Sequence, residues 1–415
     1  MSANQTEREG SVASQPHPEE PPAKKTRVGT EEAGDQKGDL PSEGCDEATH
    51  SQPAVVAGAK ADCSVLVSVK VPKRKVAVFI AYLGVGYQGM QRSPGVRSIE
   101  EELGKAMVKA GGISECNADD FKKVDWARAG RTDKGVSAVG QVVSLKMMID
   151  PPGLVERINS HLPEQIRIMG YVRTTSGFSA YRFCDRRRYE YVLPTFAFDK
   201  RIGLPMPYRS DADVLRAAKT SEEEAVKNAP FVFDYAVRSR LNSVLRTYVG
   251  TKNHHNFTKR VAANDSSAKR YIISFECSEP FEVDGKQFVR LVVVGQSFML
   301  HQIRKMVGTA LGVMRDVAPE TVYEHAFSEK HQINVPMAPE LGLFLDEAIF
   351  HAYNQRFAQT HAMLSCANYQ EQIDDFKRKF IYPHIAQTEE AEDTCRNWLR
   401  ELNVQNYPFK VEPVA

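Results

Sequence analysis

The residues best suited to chemistry in this chain lie in one short polar turn around Asp133. Arg131 precedes this acid, Lys134 follows it, and Gly135 gives the turn its flexibility. Neighbouring positive charge favours the ionised form of a carboxylate, which suits a nucleophile or a proton acceptor better than a proton donor. The same pattern is typical of a structural turn in which Asp bonds its own backbone. Local charge therefore leaves both interpretations open.

Two side chains elsewhere in the chain are of similar interest. Arg304 lies on a predicted amphipathic helix among core-facing residues, so it either pairs with an acid or extends to solvent from the helix edge. Tyr189 follows an arginine cluster on a predicted strand, where it shares a face with Tyr191 because alternate residues point the same way. Packing in a sheet core explains such a tyrosine equally well.

The segment 131–138, Arg-Thr-Asp-Lys-Gly-Val-Ser-Ala, resembles the catalytic motif of the TruA-type tRNA pseudouridine synthases. The match is contiguous and centred on Asp133. Other segments resemble motifs of the same family in the same order, namely 82–91, 159–163, 188–191, 295–298, 302–308 and 338–343. The resemblance covers residues 75–350 and leaves both ends of the chain outside it.

This resemblance implies an isomerase that converts uridine to pseudouridine in tRNA, in the region of the anticodon stem-loop, without a cofactor. A uridine in a stem must be flipped out before a carboxylate in a cleft can reach it. Asp133 would then attack the sugar or take a proton from it, and both steps remain open. Tyr189 would hold the base and could later remove the C5 proton. Arg304 would pair with Asp133 and orient it.

The resemblance also implies residues that bind the RNA. Arg131 would fill the space that the flipped base leaves. Further contacts are expected from Lys134, Gln91, Arg182, Arg187, Arg188, Lys252 and His301. The glycine-rich loop 84–89 would bring its backbone amides near this RNA or near the catalytic turn. A dinucleotide site is disfavoured there, because Pro94 and Gly95 prevent the helix that such a loop requires.

Three segments indicate which branch of the family the chain resembles. The segments 194–198, 250–257 and 301–308 look like the eukaryotic multisite branch, although Lys252, Asn253 and His255 depart from its pattern at a place that concerns substrate choice. The alternatives are a sibling synthase for the distal anticodon stem and a tRNA-binding chaperone without catalysis. The presence of Asp133, Tyr189 and Arg304 together disfavours the chaperone.

The two adjacent histidines His254 and His255 invite comparison with a metal or acid–base site. They lack nearby carboxylates, so we expect packing within a loop or contact with RNA. His301 has no second ligand at metal spacing on its helix. No metal site is predicted.

The net charge of +1 is unevenly distributed. Residues 1–72 carry 12 acidic and 7 basic side chains, residues 358–415 carry 9 and 6, and the segment 73–357 therefore carries +9. A basic central body fits a polyanion, here tRNA and other RNAs such as mRNA or small nuclear RNA. A soluble basic domain of another kind is equally compatible with charge alone. We expect a monomer.

The order of elements predicts an α+β fold with two lobes, each a largely antiparallel sheet backed by helices, around a central RNA-binding cleft. The segments are a disordered acidic tail (1–72), an N-terminal catalytic lobe (73–198), a C-terminal lobe (199–357) and a helical extension (358–415). Predicted strands are 75–83, 139–145, 166–173, 188–198, 270–277 and 287–295. Predicted helices are 99–110, 154–161, 212–229, 298–317, 369–380 and 389–402. A capping box of Ser98 and Glu101 is expected to start the first helix.

The sequence gives only weak indications of the cellular location. No stretch approaches eighteen apolar residues, so no membrane contact is predicted. Basic clusters at 24–27 and 73–75 are of the kind that a nuclear import receptor reads, which predicts the nucleus, with the mitochondrion or cytoplasm reached through another isoform. The 7 cysteines contain no Cys-x-x-Cys, which favours free thiols in a reducing compartment.

Overall fold

Strands from both halves of the chain form one sheet, and the core is built on its two faces. The computed structural model describes residues 72–118, 120–149, 152–202, 230–404 and 412–413. The predicted acidic tail before residue 72, its basic cluster 24–27 and the predicted helix 212–229 lie outside these residues. The strands are β1 Lys73–Tyr82, β2 Ala127–Arg128, β3 Ser137–Met148, β4 Ile166–Arg173, β5 Arg186–Pro194, β6 Gly250–Asn253, β7 Lys269–Cys277, β8 Phe281–Val283, β9 Lys286–Gly295, β10 His331–Gln332, β11 Leu343–Ile349 and β12 Glu412–Pro413.

Within the described chain, one sheet of ten strands crosses both halves. Its order is β4-β1-β3-β11-β5-β9-β7-β6, with β2 on β3 and β8 on β9, while β10 and β12 pair separately. Every pairing is antiparallel except that of β11 with β3. The prediction of a largely antiparallel sheet with helices is confirmed. A separate sheet in each half was predicted, but the strands form one sheet, because β11 of the second half inserts between β3 and β5 of the first, and β5 also pairs with β9.

The helices are α1 Ile99–Lys109, α2 Leu154–Ser160, α3 Ala180–Phe183, α4 Tyr235–Arg246, α5 Gln302–Met314, α6 Val322–Ala326, α7 His351–Phe357, α8 Gln370–Phe376, α9 Tyr382–Glu392 and α10 Thr394–Val404, and a π-helical turn, Lys377–Ile381, joins α8 to α9. The predicted helix 298–317 begins only after His301, whose positive φ of 62° interrupts a helix. The α4 helix was not predicted.

The start of α1 was predicted correctly, but the capping box does not form. The Ser98 side chain makes no capping bond, and Glu101 pairs with Lys105 one turn on. The first two amides of the helix, those of Ile99 and Glu100, instead donate to carbonyl groups of the glycine-rich loop. Backbone acceptors thus replace the side-chain cap, and they fix this loop to the helix.

Both faces of the sheet are covered. Alternate residues of β1 enter two different apolar clusters, Val76 and Val78 on one face and Ala77 and Phe79 on the other. A strand buried on both faces reads as a continuous apolar run, which is the pattern of β1. The first face carries α1, α2, α4 and α5, in two clusters side by side.

The helical tail covers the second face with α8 and α9, whereas its last helix, α10, packs into a cluster of the first face. Ile373, Phe376, Ile381 and Ile385 pack there in the cluster that contains Phe79. The predicted tail helices 369–380 and 389–402 are confirmed in part, because the first continues through α9 and the break falls at Asp393, which has a positive φ of 51°. The tail is therefore a layer of the folded core.

Three smaller predictions concern thiols, membranes and the basic cluster 73–75. Cys116, Cys184, Cys277, Cys366 and Cys395 are free, which confirms that prediction for the described cysteines. Of the helices in the described segments, none is long and apolar enough to cross a membrane. The basic cluster belongs to β1, where Lys75 is buried and paired with Asp125.

Candidate active site

The turn that holds Asp133 is anchored by its neighbours. Thr132 is buried, and its hydroxyl forms a 2.8 Å hydrogen bond with that of Tyr82 on β1. The Met90 amide donates to the Thr132 carbonyl at 3.2 Å, and the Gly135 amide donates back to the loop that precedes Met90. Asp133 itself is exposed, and within the described residues its carboxylate has no hydrogen-bonding or ionic partner. A rigid turn thus presents a free carboxylate.

A cavity of about 730 Å³ opens close to this turn. Four arginines line it, Arg128, Arg131, Arg182 and Arg187, together with aromatic residues Trp126, Tyr181, Tyr189 and Phe298. Arg187 is fixed by bonds to the carbonyl groups of Ala129 (2.6 Å) and Gln296 (3.2 Å). Cationic and aromatic side chains around one cavity suit a ligand that carries both phosphates and flat bases.

Tyr189 lies where the two apolar clusters of the first face meet. Its ring contacts both, and it meets Phe298 edge-on with ring centroids 5.2 Å apart. Burial raises the pKa of Tyr189 to about 12, the positive Arg187 opposes this, and the nearby negative Asp133 adds to it. Tyr189 and Tyr191 share a face, as predicted. Asp133 and Tyr189 are therefore close, and the tyrosine is a neutral phenol at physiological pH.

Arg304 has an acidic partner, but it is not Asp133. Its side chain is 14% exposed, its Nη2 lies 2.8 Å from a carboxylate oxygen of Glu340, and its Nε donates to the Ala338 carbonyl at 2.7 Å. The expected pair with Asp133 is absent, because the guanidinium group of Arg304 is paired with Glu340, which lies in the loop that packs across α5. Burial, then Arg304, lowers the pKa of His301, and the charge of Asp133 opposes this.

The remaining predicted RNA-binding residues lie in different places. Arg188 points to the second face of the sheet, where it pairs with Asp346 and Glu347, so its position does not support the predicted RNA contact. Lys134 lines a separate cavity of about 420 Å³ beside α9. Gln91 is exposed near the start of α1, and Lys252 stacks over Phe327 at 5.1 Å, but neither lines the arginine-rich cavity.

Comparison with known proteins now assigns the family. Residues 244–351 match a family model described as tRNA pseudouridine synthase. The chain is 42% identical over 344 residues to a mouse protein named pseudouridylate synthase 1 homolog, with 81% of this chain and 76% of the relative covered. The human protein of that name is 42% identical over 338 residues, with 80% and 74% covered. The tRNA pseudouridine synthase 1 of Yarrowia lipolytica is 38% identical, with 78% and 73% covered.

The chain belongs to the tRNA pseudouridine synthase family. Sequence reasoning missed one residue of this synthase that organises the cavity wall. Glu100 is fully buried, accepts bonds from the Trp126 ring nitrogen (2.7 Å) and Arg128 Nη2 (2.8 Å), and also bonds Arg128 Nε. From the sequence, Glu100 was assigned no role. No pattern in the sequence marks it, because its partners lie 26 and 28 residues away.

The glycine loop of this synthase is shaped by its contact with the Asp133 turn. A side chain at Gly89, which has φ +110°, would place its Cβ 2.7 Å from the Thr132 carbonyl oxygen. Gly86 in the same loop also has a positive φ, +82°, but nothing lies within 4 Å of its Cβ position. Substitution of Gly89 therefore adds both a steric contact with the turn and backbone strain, whereas substitution of Gly86 adds backbone strain alone.

We expect Gly89→Ala to lower the rate of pseudouridine formation about 100-fold, because the methyl group displaces the turn and a shift of about 1 Å at a reacting group has that cost. Gly86→Ala is the control, since it carries the strain of a positive φ, about 1–2 kcal/mol, without the contact. Single-turnover rates with saturating tRNA measure the difference. Equal rates for the two variants would show that the loop does not position Asp133.

The two adjacent histidines are packed inside the protein, which was one of the two alternatives expected for them. His254 is fully buried against Phe257 and Phe327, and its Nδ1 donates to the Lys252 carbonyl at 3.0 Å. His255 is buried between Asn253 and the His331 carbonyl. Their burial does not support RNA contact. Among the described residues, no group of three or more His, Cys, Asp or Glu side chains could hold a metal ion.

Burial lowers the pKa of His254 to about 4. The unfolded chain, with an ordinary histidine pKa near 6.5, binds the proton more readily, so stability is lost as pH falls from about 6.5 towards 4. We expect about 3 kcal/mol of the free energy of unfolding to disappear over this range. Urea titrations at several pH values measure it. In His254→Gln this part of the pH dependence should vanish, and an unchanged slope would contradict the assignment.

Proposed function

We propose that Asp133 is the reactive carboxylate with which this chain carries out the reaction of its family, the isomerisation of uridine to pseudouridine in tRNA. One observation carries the proposal. The Asp133 carboxylate is held on a rigid turn without a partner among the described residues, beside Tyr189 and an arginine-lined cavity. A structural Asp turn would use the side chain to bond its own backbone, and no such bond is found here.

The cavity supports binding of a flipped nucleotide. We propose that the target uridine leaves its stem and enters the cavity against Tyr189 and Phe298, where aromatic contact with a base is worth about 1–3 kcal/mol. Arg131 at the cavity edge would fill the vacated space. Arg128, Arg182 and Arg187 would face the neighbouring phosphates. The proposed RNA-binding cleft lies at the junction of the two clusters of the first face.

The reaction requires balanced changes at the base and the sugar. The bond from C1′ to N1 breaks, uracil turns, the bond from C1′ to C5 forms, and the C5 proton is lost while N1 gains one. Asp133 would begin this by attack on the sugar or by removal of a sugar proton. Because burial keeps the Tyr189 phenol protonated, this residue is better suited to hold the base than to remove the C5 proton.

Arg304 is proposed to orient Asp133 once RNA is bound. In the present structure it holds Glu340, whose side chain is 64% exposed. Such an ion pair contributes little, about 0–1 kcal/mol, so exchange of partners costs little. The charges of Arg304 and Asp133 both act on the pKa of His301, in opposite directions, which supports this role.

The range of substrates and the location are further proposals. We propose that the enzyme acts as a monomer on the anticodon stem-loop region of tRNA and on other RNAs, mRNA and small nuclear RNA among them. The relative named tRNA pseudouridine synthase 1 and the matching family model support tRNA as the main substrate. A nuclear location rests on the basic cluster 24–27, since the cluster 73–75 lies within β1.

Unmodified transcripts of several tRNAs incubated with the purified chain test the proposal. Chromatography of the digested nucleosides measures pseudouridine, and primer-extension stops at carbodiimide adducts locate it. Modification of uridines in the anticodon stem-loop region is expected. Modification confined to the distal anticodon stem would favour the sibling synthase. Binding of tRNA without any pseudouridine would overturn the proposal in favour of a chaperone.

A further inference from the structure

A second basic site lies outside the cavity described above. The site lies where three neighbouring strands have their ends side by side. There β1 begins, and β3 and β4 end. They enclose a pocket of about 240 Å³, which is lined by Lys73, Arg74, Lys75, Lys146, Arg173, Thr174 and Ser176. No acidic residue lines this pocket. It includes the basic cluster 73–75 that was interpreted as an import signal.

Most of the positive charge in this pocket is unbalanced. Lys75 is paired with Asp125, through a carboxylate oxygen at 2.6 Å and the backbone carbonyl at 2.7 Å. Within the described ranges, Lys73, Arg74, Lys146 and Arg173 form no ion pair. Lys75 and Lys146 stand directly opposite each other on β1 and β3. Like charges at opposed positions destabilise a sheet, and because Asp125 balances only Lys75, a further anion near Lys146 is favoured.

Thr174 adds a polar group without a partner. Its side chain is 8% exposed, its backbone amide donates to the Lys75 carbonyl at 2.9 Å, and its hydroxyl has no hydrogen bond. A buried hydroxyl without a partner costs about 1–3 kcal/mol. An oxyanion among these cations is the kind of group that accepts from a hydroxyl as well as from lysine and arginine.

The pocket continues the positive surface of the active-site cavity. Asp125, which holds Lys75, directly precedes the cavity-lining segment that begins at Trp126. From the other side, Arg182 lines that cavity, and its positive charge acts on Lys75. The positive charge of Arg182 therefore acts at both places, in the cavity that it lines and on Lys75 in the pocket.

We propose that this pocket binds the phosphodiester backbone of the tRNA substrate at a place remote from the target uridine. The inference rests on the proposed function and adds a second region of contact. Its residues read no sequence, because phosphate contacts fix the position of a nucleic acid and carry no base information. They lengthen the footprint of the enzyme beyond the stem-loop that enters the cavity.

The test replaces three exposed cations of the pocket, Lys73→Gln, Lys146→Gln and Arg173→Gln, in one variant. The dissociation constant is measured against salt concentration for a full-length tRNA and for its isolated anticodon stem-loop. We expect affinity for the full tRNA to fall about 10-fold or more at physiological salt, and the slope of log affinity against log salt to weaken by about 2. The advantage of full tRNA over the stem-loop should shrink accordingly.

A matched control removes three cations elsewhere, in Lys286→Gln, Arg246→Gln and Arg400→Gln, none of which lines either cavity. Equal losses in the control and the pocket variant would overturn the inference, because net charge alone would explain them. Equal losses for the two RNAs would also overturn it, since the pocket would then act on the cavity or the fold. Wild-type enzyme that forms no pseudouridine would refute the proposed function instead.

Discussion

Asp133→Asn is expected to lower the single-turnover rate of pseudouridine formation at least about 10⁴-fold while tRNA affinity stays close to that of the unchanged enzyme. Asparagine has the shape of the acid and fits the same turn, but it neither attacks the sugar nor accepts its proton. The carboxylate has no described partner in the fold, so its loss leaves no group uncompensated. Stability should therefore be maintained, and the whole effect should fall on the chemical step.

Asp284→Asn is the control for this change, because Asp284 is also an exposed acid in a turn and adopts a positive φ of 49° that asparagine tolerates. It should leave the rate within a factor of about 2 of wild type. Rates come from rapid-quench mixing with labelled tRNA, and affinities come from filter binding. Substantial turnover by Asp133→Asn would remove the carboxylate from the mechanism and leave the turn as a structural feature.

The sequence predicted the local elements around this site better than their long-range contacts. The predicted strand 166–173 matches β4 at both ends, because its apolar residues lie in a short run that proline and arginine delimit. Of the two alternatives left open for Arg304, pairing with an acid is the one observed, yet that acid is Glu340, which lies in the loop across the helix. The packing of the helix against its neighbours decides which of two acids lies nearer to an arginine. The spacing of residues along the sequence does not reveal this.

The strand β11 shows why part of the sheet could not be predicted. Its sequence places two acids, Asp346 and Glu347, in the middle of a short apolar run, which is unlike a buried central strand. In the fold Asp346 is 2% exposed and bonds to both Arg188 and Lys377. The compensating charges come from β5 and from the helical tail, 158 and 31 residues along the chain. Such a strand becomes recognisable only when its partners are in place.

Those partners form a buried ionic cluster between the tail and the sheet. The Lys377 Nζ lies 2.7 Å from a Glu190 carboxylate oxygen and 2.5 Å from one of Asp346, and all three side chains are 6% exposed or less. Burial, and then the charge of Asp346, raises the pKa of Glu190. Burial alone would raise the pKa of Asp346 as well, but Lys377 and Arg188 hold it below its usual value. Glu190 follows Tyr189 on β5, so the cluster lies directly behind Tyr189, on the second face of the sheet.

Lys377→Met should lower the free energy of unfolding by about 3–5 kcal/mol, because it leaves the buried carboxylate of Glu190 without a cation. Lys379→Met, two residues along the same turn, removes an exposed lysine and should cost less than about 0.5 kcal/mol. Adding Glu190→Gln to Lys377→Met removes the uncompensated charge and should recover part of the loss, a coupling that a double-mutant cycle in urea measures.

The pH dependence of this loss distinguishes an uncompensated charge from simple loss of packing. In Lys377→Met the pKa of Glu190 in the folded state rises further above its unfolded value. A carboxyl group with a raised folded pKa contributes stability below its unfolded pKa, and that contribution is lost as pH rises through the folded value. The deficit of Lys377→Met relative to wild type should therefore shrink as pH falls from about 8 towards 5. A deficit that is constant with pH and survives Glu190→Gln would attribute the role of Lys377 to packing of its stem.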